Sequence, residues 1–380
     1  MLLLADTKFA QDNSFKFHAF NILQKREVSL HTSLHVRRSG FQSTASSIDA
    51  LTQESLTQLL ESVENRTPIT DPNIRKLMNS LSSTGAHIKG SPYQKKCYRR
   101  EIFGLMIKYG TPALWITLSP AVSHSLIFLQ IAGHEVDLTQ LPSHAERAKL
   151  VANDPVSAAR YFDIIINAFT KCLLGYNDDE DKGGIFGHTS AYYGMTEEQG
   201  TGTLHNHMLV WLQGFESASK LKSDLEDETF QKRLLDYLET IIRQGYIGTY
   251  NEDPDVSEVT CKYPVEPYDK DYSYNLVHDV NNLVKVANTH KCRETCYKYR
   301  KQRICRFGYP REKIPESKVE DGVIKLKRTN EMVNNYNPIM MTAIRSNHDI
   351  KFIPSGKDGK NVAFYVTDYE IGRASCRERV

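Results

Sequence analysis

Two histidines one residue apart, His205 and His207, open an apolar segment of the sequence, "TLHNHMLVWL" at 203–212. Because alternate side chains of a β-strand point to the same face, both imidazoles would share one face and Asn206 would lie on the other. Such a pair suits a metal site on a sheet. It does not suit a zinc protease, in which the two histidines stand four residues apart on a helix.

A carboxylate and an amide precede the histidines across the glycine-containing turn Gly200-Thr201-Gly202. A loop of about three residues with glycine is a common hairpin connection, and this register would set Gln199 opposite His205. It would also set Glu197 opposite His207. The two imidazoles, the carboxylate and the amide oxygen would then converge on a divalent cation. The alternative, that both histidines only make hydrogen bonds on a half-exposed sheet, stays open on the residues alone.

A second group with metal-ligand character lies in one short segment and consists of His290, Cys292, Cys296 and Cys305. Thiolates and imidazole are the ligands of closed tetrahedral zinc sites, so this segment predicts structural zinc. The alternative is a set of reduced, buried thiols beneath a solvated basic face.

The same segment is basic and aromatic, with nine lysine and arginine residues from Lys291 to Lys313. Cations suit phosphates and rings suit stacked bases, so the composition favours binding to a single strand of nucleic acid. The candidate contacts are Arg300, Lys301, Arg303, Arg306, Phe307 and Tyr309.

Two tyrosines, Tyr365 and Tyr369, stand four residues apart in "FYVTDY", which is the spacing of one helix face. A phenolic oxygen can act as a nucleophile in covalent catalysis. The alternative is that both rings belong to the core, because tyrosine is abundant in this chain, with 20 residues.

Composition limits the function classes. The chain has 380 residues, is 40% hydrophobic and 25% charged, and has a formal charge of +2, so any nucleic-acid footprint must be local. It shows no secretory signal and no membrane-spanning apolar stretch, and its cysteines do not form a disulfide framework. These features predict a nuclear or otherwise intracellular protein with no membrane partner. The sequence also has no GxxxxGK[ST] loop, which excludes a nucleotide-hydrolysing motor of that type in this part of the chain.

Local patterns predict the elements that would position these residues. Asp154-Pro155 marks the start of a helix over 154–176, and "PALWITLSP" at 112–120 predicts a short strand. The other predicted elements are helices at 48–65, 93–110 and 221–243 and antiparallel strands at 184–199 and 203–212.

Together these segments resemble the replication-initiator-like (Rep) domain of Helitron transposases, also called the Helitron helicase-like N-terminal domain. The resemblance implies an α+β fold of the His-hydrophobic-His nuclease type: an antiparallel sheet flanked by helices, with a helical N-terminal region and a zinc-binding insert. The matching stretches run in family order and are "AFNILQKRE", "GTPALWITLSP", "AGHEVDL", "YYGMTEEQGTGTLHNHMLVWL", "CRFGYPRE", "NNYNPIM", "RSNHDIKFI" and "FYVTDY".

The resemblance also implies roles for the candidate residues. His205 and His207 would hold Mg²⁺ or Mn²⁺ against a scissile phosphate of single-stranded DNA, and Tyr365 and Tyr369 fall on the family's paired nucleophiles. Attack by a tyrosine would leave a 5′-phosphotyrosine and a free 3′-OH. One departure is Asn206, which stands where the family has a hydrophobic residue.

The resemblance divides the chain into a Helitron-associated region at 1–90 and a Rep-like endonuclease domain at 91–369, with the zinc insert at about 286–313. Residues 370–380, "EIGRASCRERV", match the in-frame translation of a common sequencing adapter. We therefore expect the natural sequence to stop near Tyr369 and the chain to be truncated before the lysine and the helicase domain that follow in this family. The activity of the fragment itself is left open.

The leading hypothesis is therefore a single-stranded DNA endonuclease and strand-transfer domain of a rolling-circle transposase, partnered by the helicase of the same polypeptide. The alternative is a catalytically inactive, zinc-containing module from a decayed element that only binds single-stranded nucleic acid.

Overall fold

A computed structural model describes most of the chain. The described residues are 13–35, 38–65, 67–86, 88, 91–135, 142–176, 182–198, 203–215, 217–255, 259–297 and 304–368. They form two compact units, residues 13–101 and residues 102–368. The predicted boundary at residue 90 stays a prediction, and the adapter-like residues 370–380 lie outside the described part of the chain.

The first unit is helical where it is described. Its helices are α1 (Asn13–His35), α2 (Arg38–Asp49), α3 (Gln53–Glu64), α4 (Pro72–Gly85) and the start of α5 (Pro92–Tyr109). Side chains fix the helix starts: the Ser55 N–H donates to Thr52 Oγ1 before α3, and Asp71 Oδ1 accepts from Asn73 and Ile74 at α4. The helix predicted at 48–65 is confirmed, with a break before Gln53.

The second unit contains both strands and helices. Its strands are β1 (Leu114–Leu118), β2 (Thr189–Glu198), β3 (Leu204–Leu212), β4 (Lys318–Glu320), β5 (Val323–Lys325) and β6 (His348–Phe352). Its helices are α6 (Leu126–Ile131), α7 (His144–Asn153), α8 (Pro155–Ala168), α9 (Ala218–Asp224), α10 (Glu228–Ile241), α11 (Tyr272–Leu283), α12 (Glu294–Tyr297), α13 (Pro338–Ile344) and α14 (Gly356–Asp368). No helix among the described residues is both long and apolar enough to cross a membrane.

Four strands form one antiparallel sheet in the order β2-β3-β1-β6, and β4 and β5 pair separately. The α+β class with an antiparallel sheet flanked by helices is therefore confirmed. β3, which contains both histidines, lies inside the sheet between β2 and β1.

Most local predictions are confirmed. Asp154 caps α8 by accepting from the Ser157 N–H, and Pro155 occupies its first turn. Gly110, with φ of 82°, ends α5 as predicted. The acidic helix predicted over 221–243 is instead two helices, because Asp227 accepts from the Thr229 N–H and starts a new helix, α10.

The register predicted for the β2–β3 hairpin is wrong by two residues. In the structure Glu197 pairs with His205, and Met195 pairs with His207. The last pair is Glu198 with Leu204, so the connection is longer than the three-residue loop expected from its glycines. A shift by two residues leaves every side chain on its original face, so hydrophobic alternation cannot distinguish the two registers.

One face of the sheet packs into the main core. Leu114, Ile116 and Leu118 of β1 alternate with outward-facing residues and are fully buried. They cluster with Phe162 of α8 and Leu238 of α10. Burying each such side chain contributes about 1.5–3 kcal/mol, which fixes the face that each strand turns to the helices. The opposite face combines polar side chains of the same strands with buried apolar ones, such as Leu209 and Trp211 of β3.

Asn206 lies on the core face and is fully buried. Its Nδ2 donates to Thr196 Oγ1 at 3.4 Å, while its Oδ1 has no hydrogen-bond partner. Gly194 leaves room for the amide, since a Cβ there would lie 3.2 Å from Asn206 Nδ2. Thr196 and Gly194 of β2 thus accommodate the Asn206 side chain. Only its Nδ2 has a hydrogen-bond partner.

Replacing Asn206 with valine should stabilise the fold. The unpaired Oδ1 carries a desolvation cost of about 1 kcal/mol or more, which a β-branched apolar side chain would remove. We expect a higher midpoint of urea unfolding for Asn206→Val and a lower one for Asn206→Asp, which would bury a charge. A lower midpoint for the valine variant would show that the amide stabilises the strand.

Candidate active site and metal-ligand cluster

The face of the sheet opposite the main core brings together side chains from four strands, and we call it the histidine face. It is formed by Thr117 of β1, Glu197 of β2, His205 and His207 of β3, and Asp349 of β6. Thr117 is paired with His207 on one side and with Asp349 on the other. Strand alternation therefore places both imidazoles and two carboxylates on the face opposite the main core, where both histidines are themselves buried.

Two neighbours orient His207. Its Nδ1 lies 3.0 Å from Thr117 Oγ1, and its Nε2 lies 3.0 Å from Glu197 Oε1. When the ring is neutral and Glu197 is ionised, Nε2–H donates to the carboxylate and the threonine hydroxyl donates to Nδ1. A metal held by both groups would take the place of the proton between them.

His205 is held as a neutral ring. Burial lowers its pKa to about 4, and neighbouring His207 acts in the same direction. A neutral imidazole keeps a lone pair for a ligand.

Unpaired polar atoms gather on this face. His205 Nδ1, Asp349 Oδ1 and Trp115 Nε1 are each buried without a hydrogen-bond partner. Buried polar groups are normally paired, so such a concentration is typical of a surface built for a polar ligand. The donor set of imidazole and carboxylate fits a divalent cation. The fourth predicted ligand, Gln199, lies outside the described residues.

Tyr365 of α14 reaches the histidine face. Its ring centroid lies 5.6 Å from that of His207 and 5.1 Å from that of Trp115, both in edge-on contacts. The buried residues Val362 and Val366 hold α14 against the rest of the unit, whereas Tyr365 is 38% exposed. The Tyr365 ring is therefore beside His207 and partly exposed. Tyr369, the second predicted nucleophile, lies outside the described residues.

The four predicted zinc ligands converge. The ligand atoms of His290, Cys292, Cys296 and Cys305 all lie within 4.8 Å of one another. His290 Nε2 is 3.3, 3.7 and 3.4 Å from the three sulfur atoms in that order. Zinc–sulfur bonds of about 2.3 Å and zinc–nitrogen bonds of about 2.0 Å at tetrahedral angles separate nitrogen and sulfur by roughly 3.5 Å. The cluster therefore has the dimensions of a tetrahedral metal site and could hold an ion such as zinc.

Comparison of the amino-acid sequence with known protein families assigns the chain to a family. The family described as "Helitron helicase-like domain at N-terminus" matches residues 1–210. The chain belongs to the Helitron helicase-like family. The matched region includes β1, β2 and both histidines of β3, and it ends before the Cys/His cluster and α14. A comparison with curated proteins finds no match.

In this Helitron-family chain the Cys/His cluster is supported by a second layer of contacts. The His290 ring stacks on Tyr309 with centroids 4.3 Å apart and an interplanar angle of 12°. Tyr309 in turn donates its hydroxyl to Asn334 Oδ1 at 3.0 Å. Burial lowers the pKa of His290, with Arg311 adding to the effect, which favours the neutral ring that a metal needs.

The predicted nucleic-acid contacts separate into three groups. Arg300, Lys301 and Arg303 lie outside the described residues. Arg306 and Phe307 are exposed, with the guanidinium carbon 4.6 Å from the ring centroid. Tyr309 is buried beside His290, so its position suits support of the cluster better than stacking on a base.

Several residues in the histidine face or next to it were not predicted from the sequence. They are Trp115, Thr117, Asp349 and Lys351. The alternation of residues in "LWITL" and "HDIKF" indicates that these side chains share one face of each strand. The pairing of β6 with β1, which makes these residues neighbours, has no local signature.

We expect the purified protein to contain about one zinc ion per chain, because four converging thiolate and imidazole ligands bind zinc tightly. Cys296→Ser should remove the zinc and lower the melting temperature, as should a strong chelator. Cys172, an exposed cysteine outside the cluster, provides the matched control, and Cys172→Ser should retain full zinc by elemental analysis. Zinc-free wild-type protein, or zinc unaffected by Cys296→Ser, would contradict the assignment.

Proposed function

We propose that this chain contains the endonuclease and strand-transfer activity of a rolling-circle Helitron transposase, acting on single-stranded DNA. The observation that supports this most is the contact between Tyr365 and His207 on a face that also holds Glu197 and His205. A nucleophile beside candidate metal ligands is an arrangement that suits metal-assisted phosphodiester transesterification.

In the proposed reaction the phenolic oxygen of Tyr365 bonds to the scissile phosphorus and the bond from phosphorus to the 3′ oxygen breaks. Overall, the phenolic proton ends on the 3′ oxygen. The products are a 5′-phosphotyrosine and a free 3′-OH, so the number of phosphoester bonds is conserved and the strand can be rejoined. Tyr369, four residues further along the sequence, would perform the second transesterification.

The described residues supply positioning for this step. Thr117 and Glu197 fix the His207 ring through its two nitrogens, and Trp115 packs against Tyr365. Mg²⁺ or Mn²⁺ bound by the histidines and Glu197 would polarise the phosphoryl oxygen and neutralise developing charge. A phenol is a poor nucleophile at its usual pKa of about 10, so an electrophilic phosphate is necessary.

A second function has one observation in its favour. Among the described residues, the group whose metal-ligand atoms converge is the Cys/His cluster and not the histidine face. A zinc-stabilised module that binds single-stranded nucleic acid without cutting it would need only that cluster and the basic segment around it. The endonuclease proposal also includes a helicase domain in the same polypeptide as partner and a nuclear location for the protein.

The two functions predict different fates for DNA. An oligonucleotide labelled at its 3′ end should remain attached to the protein on a denaturing gel with Mn²⁺, since the 5′-phosphotyrosine joins the downstream fragment. The same oligonucleotide labelled at its 5′ end should give a free, shorter fragment. Binding with neither product, in the full-length polypeptide as well as in this chain, would favour the zinc module.

A further inference from the structure

A cavity of about 540 Å³ lies between the Cys/His cluster and β6, within the second unit. His290 and Phe307 line its cluster side, and Asp349 and Lys351 line its sheet side. It therefore connects the predicted zinc module with the edge of the histidine face. A volume of this size is ordinary for a site that holds a small molecule or one unit of a polymer.

The cavity lining is strongly cationic. Lys291, Arg293, Arg311 and Lys351 all contribute to it, against one carboxylate, Asp349. Asp349 Oδ2 is paired with Lys351 at 3.1 Å. Four cations against one carboxylate leave a surplus of positive charge, which suits an anionic ligand such as a phosphodiester.

One aromatic ring at the cavity is available for stacking. Phe307 is 51% exposed and has the Arg306 guanidinium near its ring. In contrast, the buried Tyr309 ring is already packed on His290 and lies 4.4 Å from the Arg311 guanidinium carbon. Exposed rings flanked by arginine are the usual platforms for unpaired bases.

The cavity leads toward the candidate nucleophile. Lys351 Nζ lies 4.8 Å from the Trp115 ring centroid, and the Trp115 ring contacts Tyr365. A strand whose phosphate meets Lys351 would thus continue along Trp115 to the phenol. Asp349 lines the cavity and Trp115 contacts Lys351, and Asp349 Oδ1 and Trp115 Nε1 are both buried without a hydrogen-bond partner.

We propose that this cavity binds one nucleotide of the single-stranded DNA close to the scissile phosphate. Its base stacks on Phe307, and Lys291, Arg311 and Lys351 bind its flanking phosphates. The nearness of this nucleotide to the scissile phosphate rests on the proposed function, whereas binding of the nucleotide can be tested separately.

The test is the affinity of a short fluorescent oligodeoxynucleotide, measured by anisotropy without added Mg²⁺ or Mn²⁺ so that cleavage is not required. Phe307→Ala should weaken binding by about 5- to 150-fold, the range of one lost base stack. Lys291→Gln and Lys351→Gln should each weaken binding, and each should reduce the magnitude of the negative slope of log K against log salt by about 0.7.

Matched controls come from another exposed segment of the chain. Tyr268→Ala and Lys270→Gln remove the same kinds of group from a segment outside the cavity lining. These variants should bind within about twofold of wild type. All five variants should retain zinc and melt like wild type, which separates lost contacts from lost folding. Wild-type affinity in the cavity variants, or equal losses in the controls, would overturn the proposal.

Abasic substitution locates the nucleotide. An abasic site at one position of the oligonucleotide should lower its affinity for wild type. The same abasic site should not lower the affinity of Phe307→Ala any further, because that variant already lacks the stacking ring. Additive losses at every position would rule out the stack. If the cavity variants weaken binding but neither this chain nor the full-length polypeptide forms a covalent adduct, the cavity stands and the endonuclease proposal fails. If wild type forms the adduct but the cavity variants bind DNA unaltered, the endonuclease proposal stands and the cavity proposal fails.

Discussion

Replacing Tyr365 and Tyr369 together with phenylalanine is expected to abolish the covalent adduct between protein and DNA. The double substitution removes only the two phenolic oxygens, and the Tyr365 ring can keep its contacts with Trp115 and His207. Loss of a covalent nucleophile costs at least about 10³-fold in rate. The measurement is the label retained by the protein on a denaturing gel, alongside melting temperature and DNA affinity, which should both stay near the wild-type values.

The single variants divide the roles of the two tyrosines. Tyr365→Phe and Tyr369→Phe should each impair cleavage or rejoining without removing DNA binding. Tyr274, a tyrosine that is 72% exposed on α11, serves as the control, and Tyr274→Phe should behave as wild type. If the double variant still links to DNA, the tyrosines are packing residues and the mechanism is wrong.

His207→Ala and His205→Ala are expected to eliminate Mn²⁺-dependent nicking while DNA binding is retained. His207→Ala removes the imidazole that Thr117 and Glu197 hold in place. The site therefore loses a candidate metal ligand that its neighbours had already oriented. We expect a fall of at least about 10²-fold in nicking rate. Titration of Mn²⁺ in the absence of DNA should show the same loss of affinity, which gives a readout that does not depend on activity.

The matched control for the histidine variants is His278, which pairs with Glu252 at 2.9 Å on an exposed surface. Removing it deletes a similar imidazole–carboxylate contact outside the histidine face. His278→Ala should nick and bind Mn²⁺ as wild type does. Undiminished nicking by His205→Ala or His207→Ala would remove the metal assignment, and the zinc-module function would then be favoured.

Local sequence patterns determined several features of this protein. Alternation along "TLHNHMLVWL" placed His205 and His207 on one face, because a strand repeats every two residues whatever it packs against. Asp154-Pro155 fixed the start of α8 because a cap and a first-turn proline act within one turn of helix. The spacing from His290 to Cys305 was short enough for one compact segment to bring the four ligand atoms together.

Tertiary structure alone decided how the site is assembled. Thr117 and His207 lie 90 residues apart in sequence, and their hydrogen bond exists because β1 pairs with β3. The same pairing pattern adds Asp349 through β6, and the packing of α14 brings Tyr365 to His207. The periodicity of a sequence predicts on which face of a strand or helix a residue lies. It does not predict which other element packs on that face. The hairpin register likewise depended on the length of its turn, because both registers present the same faces.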